Sequence, residues 1–177
     1  FAVVSSAGTT NTGAVDPLDA IGDLAAAEGL WHHIDGAYGA FFHLHDESRA
    51  VLKGLSRADS LTLDPHKGMF LPYGTGALLV RDGAWLRAAH EATADYLPPM
   101  PHPEDFYDPS QHGPELSRAF PGLRVWLTVK IYGARAFREA IAEKRQLAVD
   151  AARRIAALPG IVMDAPPELS LFAFHVT

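Results

Sequence analysis

Four short apolar runs at helix-length intervals constrain this chain more than any other feature: residues 1–4, 30–34, 60–63 and 76–80. Continuous runs of that length read as strands buried on both faces, and the connections between them are long enough for crossover helices. The predicted class is α/β, with a mixed, mostly parallel sheet covered by helices. Asp16 followed by Pro17 reads as a helix cap with proline in the first turn. Leu18, Ile21, Leu24 and Ala25 then hold helical spacing up to Gly29.

Beyond the last run the texture changes. Residues 95–121 carry many Pro, His, Asp and Tyr without a period, which predicts a long loop of the functional or mobile kind, such as a lid. Residues 123–158 read as helix interrupted at Gly133, with Phe137, Ile141, Ala148, Ala151, Ile155 and Leu158 along one stripe and Pro159-Gly160 as the stop. Residues 161–163 and 169–177 look like the first strands of a smaller α+β unit. The expected organisation is a large domain over 1–122 that includes the loop, a helical connection over 123–158, and the beginning of a small C-terminal domain from 159. Both ends have a cut character. The chain opens on a strand without Met, and Phe172, Phe174 and Val176 alternate up to its last residues, so an internal piece of a longer protein is expected.

Composition narrows the partners. Of 177 residues, 48% are hydrophobic and 20% charged, as in a folded domain. A net charge of -6 disfavours nucleic acid and anionic membranes, which reward basic surfaces. No apolar run nears the roughly 20 residues of a membrane span, and no basic leader with a cleavage site opens the chain. The absence of cysteine excludes disulfides and thiol catalysis, and the cytoplasm is the expected compartment.

Asp35 and Lys67 each follow a predicted strand, where ligands of open α/β sheets gather. An acid and a lysine at neighbouring strand ends suit pyridoxal phosphate, whose aldehyde bonds an amine and whose ring nitrogen is kept protonated by a carboxylate. The same pair also reads as an ordinary surface ion pair. Asp35 with the H-x-H pair His43 and His45 offers a metal set as a further alternative, although histidines so spaced in a loop are commonly solvated; no metal is expected.

The motifs Gly8-Thr9-Thr10-Asn11-Thr12-Gly13, Trp31-His32-His33-Ile34-Asp35-Gly36-Ala37-Tyr38 and Asp64-Pro65-His66-Lys67-Gly68 occur in that order. Arg118-Ala119-Phe120, Leu123-Arg124-Val125-Trp126 and Tyr132-Gly133 follow them. Together they resemble the group II pyridoxal-phosphate-dependent amino-acid decarboxylases, which include the aromatic-L-amino-acid decarboxylases, over nearly the whole chain. The resemblance implies the large domain of a fold-type I enzyme, with Lys67 as the Schiff-base lysine and Asp35 as partner of the ring nitrogen. It further implies that Ala37 packs beneath the ring, that Thr10 lies beside the cofactor, and that Asp64 and His66 contact the phosphate side. Tyr107 is the candidate loop acid that reprotonates the substrate carbon, with Tyr96 as rival.

The reaction implied is decarboxylation of an L-amino acid, aromatic first and acidic or other second, by a homodimer. Residues 1–177 alone are not expected to turn over, because the family's phosphate loop and ring-stacking histidine lie upstream. Other readings are an aldehyde synthase, another fold-type I enzyme of this cofactor, and a non-catalytic cofactor-binding fragment.

Overall fold

The computed structural model describes residues 1–90 and 107–177. In chain order these form β1 (Ala2–Ser6), α1 (Leu18–Glu28), β2 (Trp31–Asp35), α2 (Asp46–Val51), β3 (Ser60–Leu63), α3 (Pro65–Gly68), β4 (Ala77–Val80), α4 (Gly83–His90), α5 (Gly122–Ala156), β5 (Ile161–Met163) and β6 (Phe174–Val176). Two compact units emerge. One comprises Phe1–Leu79 with Pro121–Thr177, and the other Val80–Phe120.

In the first unit a four-stranded sheet has the order β1-β2-β3-β4. Strands β1 and β2 pair in parallel with Ser6 opposite Asp35, and β2 and β3 pair in parallel with Asp35 opposite Thr62. All four predicted strands are present, each within a residue or two of its predicted bounds. The register sorts side chains by face, because neighbouring residues point to opposite sides. His32 and Ile34 on β2 are buried, whereas Asp35 on the other face is exposed. Val4, on the face of Asp35, is 66% exposed. The expectation that residues 1–4 are covered on both sides is not met within the described residues, where Phe1, Ala2 and Val4 are exposed and Val3 is half-buried.

Helix α1 packs on β1 and β2 and places Leu18 in a core with Ile34, Leu52, Ile141 and Leu169. Its start corrects the expected cap. Pro17 holds the N-cap position and no side chain caps the helix. The Asp16 carboxylate instead accepts the Ser6 backbone N–H at 2.7 Å, tying the loop to the end of β1. At the other end Gly29 adopts a left-handed conformation and its N–H bonds back into the helix, as the sequence predicts.

Helix α5 breaks at Gly133, whose φ of 73° and ψ of 160° lie outside the helical region. Of the predicted stripe, Phe137, Ile141 and Ala148 are buried, and Ala152 completes that face. Leu158 is exposed, because the helix ends at Ala156. The C-terminal strands β5 and β6 pair antiparallel. The segment before β6 is anchored in this unit: Glu168 Oε2 accepts the Val15 N–H at 2.6 Å, its backbone oxygen accepts Arg145 Nε–H at 3.0 Å, and Leu169 is fully buried.

In the second unit α4 packs against a 3₁₀ turn at Pro109–His112. Asp108 starts that turn by accepting the Ser110 N–H at 2.9 Å. Residues 95–106 of the predicted loop, Tyr96 among them, lie outside the described residues.

Candidate active site

The carboxyl ends of three adjacent parallel strands carry most of the predicted site residues. Thr10 belongs to the turn that follows β1, where Thr9 and Thr12 hydroxyls bond each other at 2.8 Å and Thr10 itself is exposed. Asp35 ends β2. Its Oδ1 accepts the Ala37 N–H at 3.1 Å, a local turn that orients the carboxylate. Asp64, His66 and Lys67 follow β3 directly, and Lys67 lies five residues past Thr62, the register partner of Asp35. The two strand ends that the sequence singles out are therefore neighbours.

Glycine makes this proximity sterically feasible at two places. A Cβ on Gly36 would stand 2.6 Å from Ala40 Cβ and 2.8 Å from Leu61 Cδ1, so only glycine lets the chain turn after Asp35 while its N–H bonds Thr62 O at 3.1 Å. A Cβ on Gly68 would stand 2.4 Å from Phe41 Cδ2. The turn bearing Lys67 thus rests directly on the segment that follows Asp35.

The Lys67 ammonium lies 2.8 Å from Asp64 Oδ2 and its side chain is 46% exposed. His66 Nδ1 donates to the Thr75 carbonyl at 2.8 Å, and its ring stands edge-on to Tyr73 at 5.0 Å between centroids. Because the carbonyl can only accept, that bond assigns the proton to Nδ1. Beyond Lys67 the chain passes through Phe70 with φ at 58°, a conformation bulky residues seldom adopt and one that collects near functional sites. Lys67, Phe70, Tyr38, Ile141, Lys144 and Ser170 bound a pocket beside this turn.

A polar brace that sequence reasoning missed runs along the face of Asp35. Ser60 Oγ accepts the Trp31 indole N–H at 2.9 Å and bonds His33 Nδ1 at 2.7 Å, while His33 Nε2 bonds Thr62 Oγ1 at 3.2 Å. The available signal was the alternation Trp31, His33, Asp35 against Ser60, Thr62, which puts five polar-capable side chains on one face once the register is known.

Tyr107 lies in the second unit, 66% exposed and stacked on His112 at 4.5 Å. The metal alternative is not formed. No group of three or more His, Cys, Asp or Glu side chains converges among the described residues, and His45 Nδ1 bonds Ser48 Oγ at 3.0 Å.

A parallel sheet presenting a lysine and a carboxylate just past the ends of adjacent strands defines an α/β protein. Residues 1–177 match the pyridoxal-dependent decarboxylase conserved domain throughout, and the chain belongs to that family.

Among its relatives, an aromatic-L-amino-acid decarboxylase of Bacillus atrophaeus is 44% identical over 80% of the chain and 30% of its own length. An L-2,4-diaminobutyrate decarboxylase of Rhizobium meliloti (strain 1021) is 38% identical over 98% of the chain and 35% of its own length. The crystal structure of Oryza sativa TDC with PLP and tryptamine superposes with a TM-score of 0.90 at 29% identity, covering 99% of this chain and 36% of that one. The chain thus spans about a third of the length of the relatives it matches, and the fold is the α/β fold of these decarboxylases.

The residues present suit the family's cofactor. Lys67 offers a half-exposed primary amine, Asp35 an exposed carboxylate at the adjoining strand end, and His66 a ring held in place by its Nδ1 bond to the Thr75 carbonyl.

Proposed function

We propose that this chain is the cofactor-holding part of an enzyme that decarboxylates an L-amino acid, aromatic in the first instance, to the corresponding amine and carbon dioxide. The observation that carries the reading is the parallel register that sets Asp35 opposite Thr62, five residues before Lys67. Lys67 would hold pyridoxal phosphate through its amine and Asp35 would keep a proton on the ring nitrogen. When bound, the cofactor supplies an electron-withdrawing ring that accepts the electron pair left by departing carbon dioxide.

The chain's own residues do the remaining work. The carboxylate of Asp35 favours the protonated ring by charge, and its bond to the Ala37 N–H holds it in one orientation. Ala37 gives the ring a flat, small contact, and Thr10 lines the β1 side. His66 would lie on the phosphate side, its ring fixed by the Thr75 carbonyl. Tyr107 supplies the proton to the substrate carbon once carbon dioxide has left.

The preference for aromatic substrates rests on the 44% identity to the Bacillus atrophaeus protein. A basic amino acid is the second reading, favoured by the diaminobutyrate relative that aligns over 98% of the chain. We further propose that the protein acts as a homodimer in the cytoplasm, in keeping with a chain that lacks cysteine, and that residues 159–177 begin a small C-terminal domain.

The test is an absorbance spectrum of the protein with pyridoxal phosphate before and after borohydride reduction, with peptide mapping and an amino-acid screen for carbon dioxide release. Label on Lys67 and release from aromatic amino acids support the proposal. An unlabelled Lys67 overturns it.

A further inference from the structure

Asp64 occupies the N-cap position of α3, yet its side chain makes no capping bond. Its backbone carbonyl accepts the Lys67 and Gly68 N–H groups at 2.8 and 3.1 Å, so the turn does not need the carboxylate. Oδ2 is turned to the Lys67 ammonium at 2.8 Å instead. Oδ1 lies beside bare backbone, where a Cβ on Gly76 would stand 3.4 Å away. The Asp64 side chain is 17% exposed against 46% for Lys67, and a carboxylate enclosed to that degree requires a donor or a cation.

His66 does not fill that need. Its Nε2 is 3.6 Å from the same Oδ2, beyond hydrogen-bond length, and its Nδ1–H is given to the Thr75 carbonyl. The amine of Lys67 is thus the group that satisfies Asp64.

We infer that Asp64 is a positioning residue that takes the Lys67 ammonium whenever this amine is not bonded to the cofactor, and so sets how readily an incoming amine displaces Lys67. The inference rests on the reading of Lys67 as the cofactor lysine. It gives Asp64 a task different from phosphate contact, for which its negative charge is unsuited. Holding the released ammonium stabilises the displaced state, and an ion pair this exposed shifts such an equilibrium by about two- to fivefold.

The experiment titrates the holoenzyme with methylamine, comparing wild type, Asp64→Asn and Asp64→Glu. Cofactor absorbance and borohydride trapping mapped to Lys67 report the displacement. In parallel, the apo forms are titrated with pyridoxine 5'-phosphate, an alcohol that cannot bond to lysine. The methylamine midpoint is expected to rise about two- to fivefold in Asp64→Asn and to return toward wild type in Asp64→Glu, with pyridoxine phosphate affinity equal in all three. An unmoved midpoint overturns the inference, as does a loss of pyridoxine phosphate affinity that matches the midpoint change, since that marks a merely structural role. Absence of label on Lys67 in wild type defeats the functional reading and this inference together; label with an unmoved midpoint defeats this inference alone.

Discussion

His33 on β2 and Ser60 on β3 share a 2.7 Å hydrogen bond, and the same Ser60 oxygen accepts the Trp31 indole N–H. One hydroxyl therefore serves two side chains of the neighbouring strand, directly below the ends that carry Asp35 and Lys67. Ser60→Ala removes the hydroxyl that both side chains share at a buried position. The expected loss is about 1–2 kcal/mol of unfolding free energy, read from urea denaturation. A loss within a few tenths would show that the brace adds nothing.

His32 faces the other way, into the core, with 1% of its surface exposed. Its Nε2 bonds Ser5 Oγ at 2.7 Å, and Nδ1 has no hydrogen-bond partner. Burial holds its pKa below the ordinary 6.5, partly opposed by the charge of Asp59. The unfolded chain takes up this proton more readily than the native one. Stability from this group is full above about pH 6.5 and declines as pH falls below it, with a slope of up to about 1.4 kcal/mol per pH unit. Comparing wild type with His32→Gln from pH 7.5 to 5.5 checks this, and parallel curves would refute it.

Asp35→Asn keeps an oxygen able to accept the Ala37 N–H, so the local turn should survive. The charge on the ring nitrogen's proposed partner is lost. Reductive label on Lys67 should persist while carbon dioxide release falls by about 10²-fold or more. Undiminished turnover would remove Asp35 from the mechanism.

Tyr107→Phe keeps the ring that stacks on His112 and deletes the proposed proton donor. Amine formation should fall by about 10²-fold, with aldehyde becoming a larger share of product by chromatography. An unchanged rate and product ratio would pass the role to another residue.

How much could be read ahead of the structure depended on the range of the physics involved. The strands, the glycine end of α1 and the break at Gly133 are local consequences of apolar spacing and of backbone freedom at Gly29 and Gly133. Asp35 and Lys67 stood out because both follow apolar runs, and the ordered motifs around them carried the family resemblance that the domain match bears out.

Other pairings have no local signature. Asp16 resembles a cap in sequence, but folding brings the Ser6 N–H to its carboxylate. Glu168 reaches Val15 across most of the chain, and Leu169 fills a core begun by Leu18. The brace through His33 exists only once β2 and β3 align in register, and Asp64 turns to Lys67 only because the backbone has already satisfied the turn. Sequence by itself determined the sheet strands, α1 and the broken α5, and singled out Asp35 and Lys67 as the candidate pair, since these follow from neighbours in the chain. Tertiary structure alone decided which polar groups meet, because each hydrogen bond depends on distances set by strands and loops far apart in sequence.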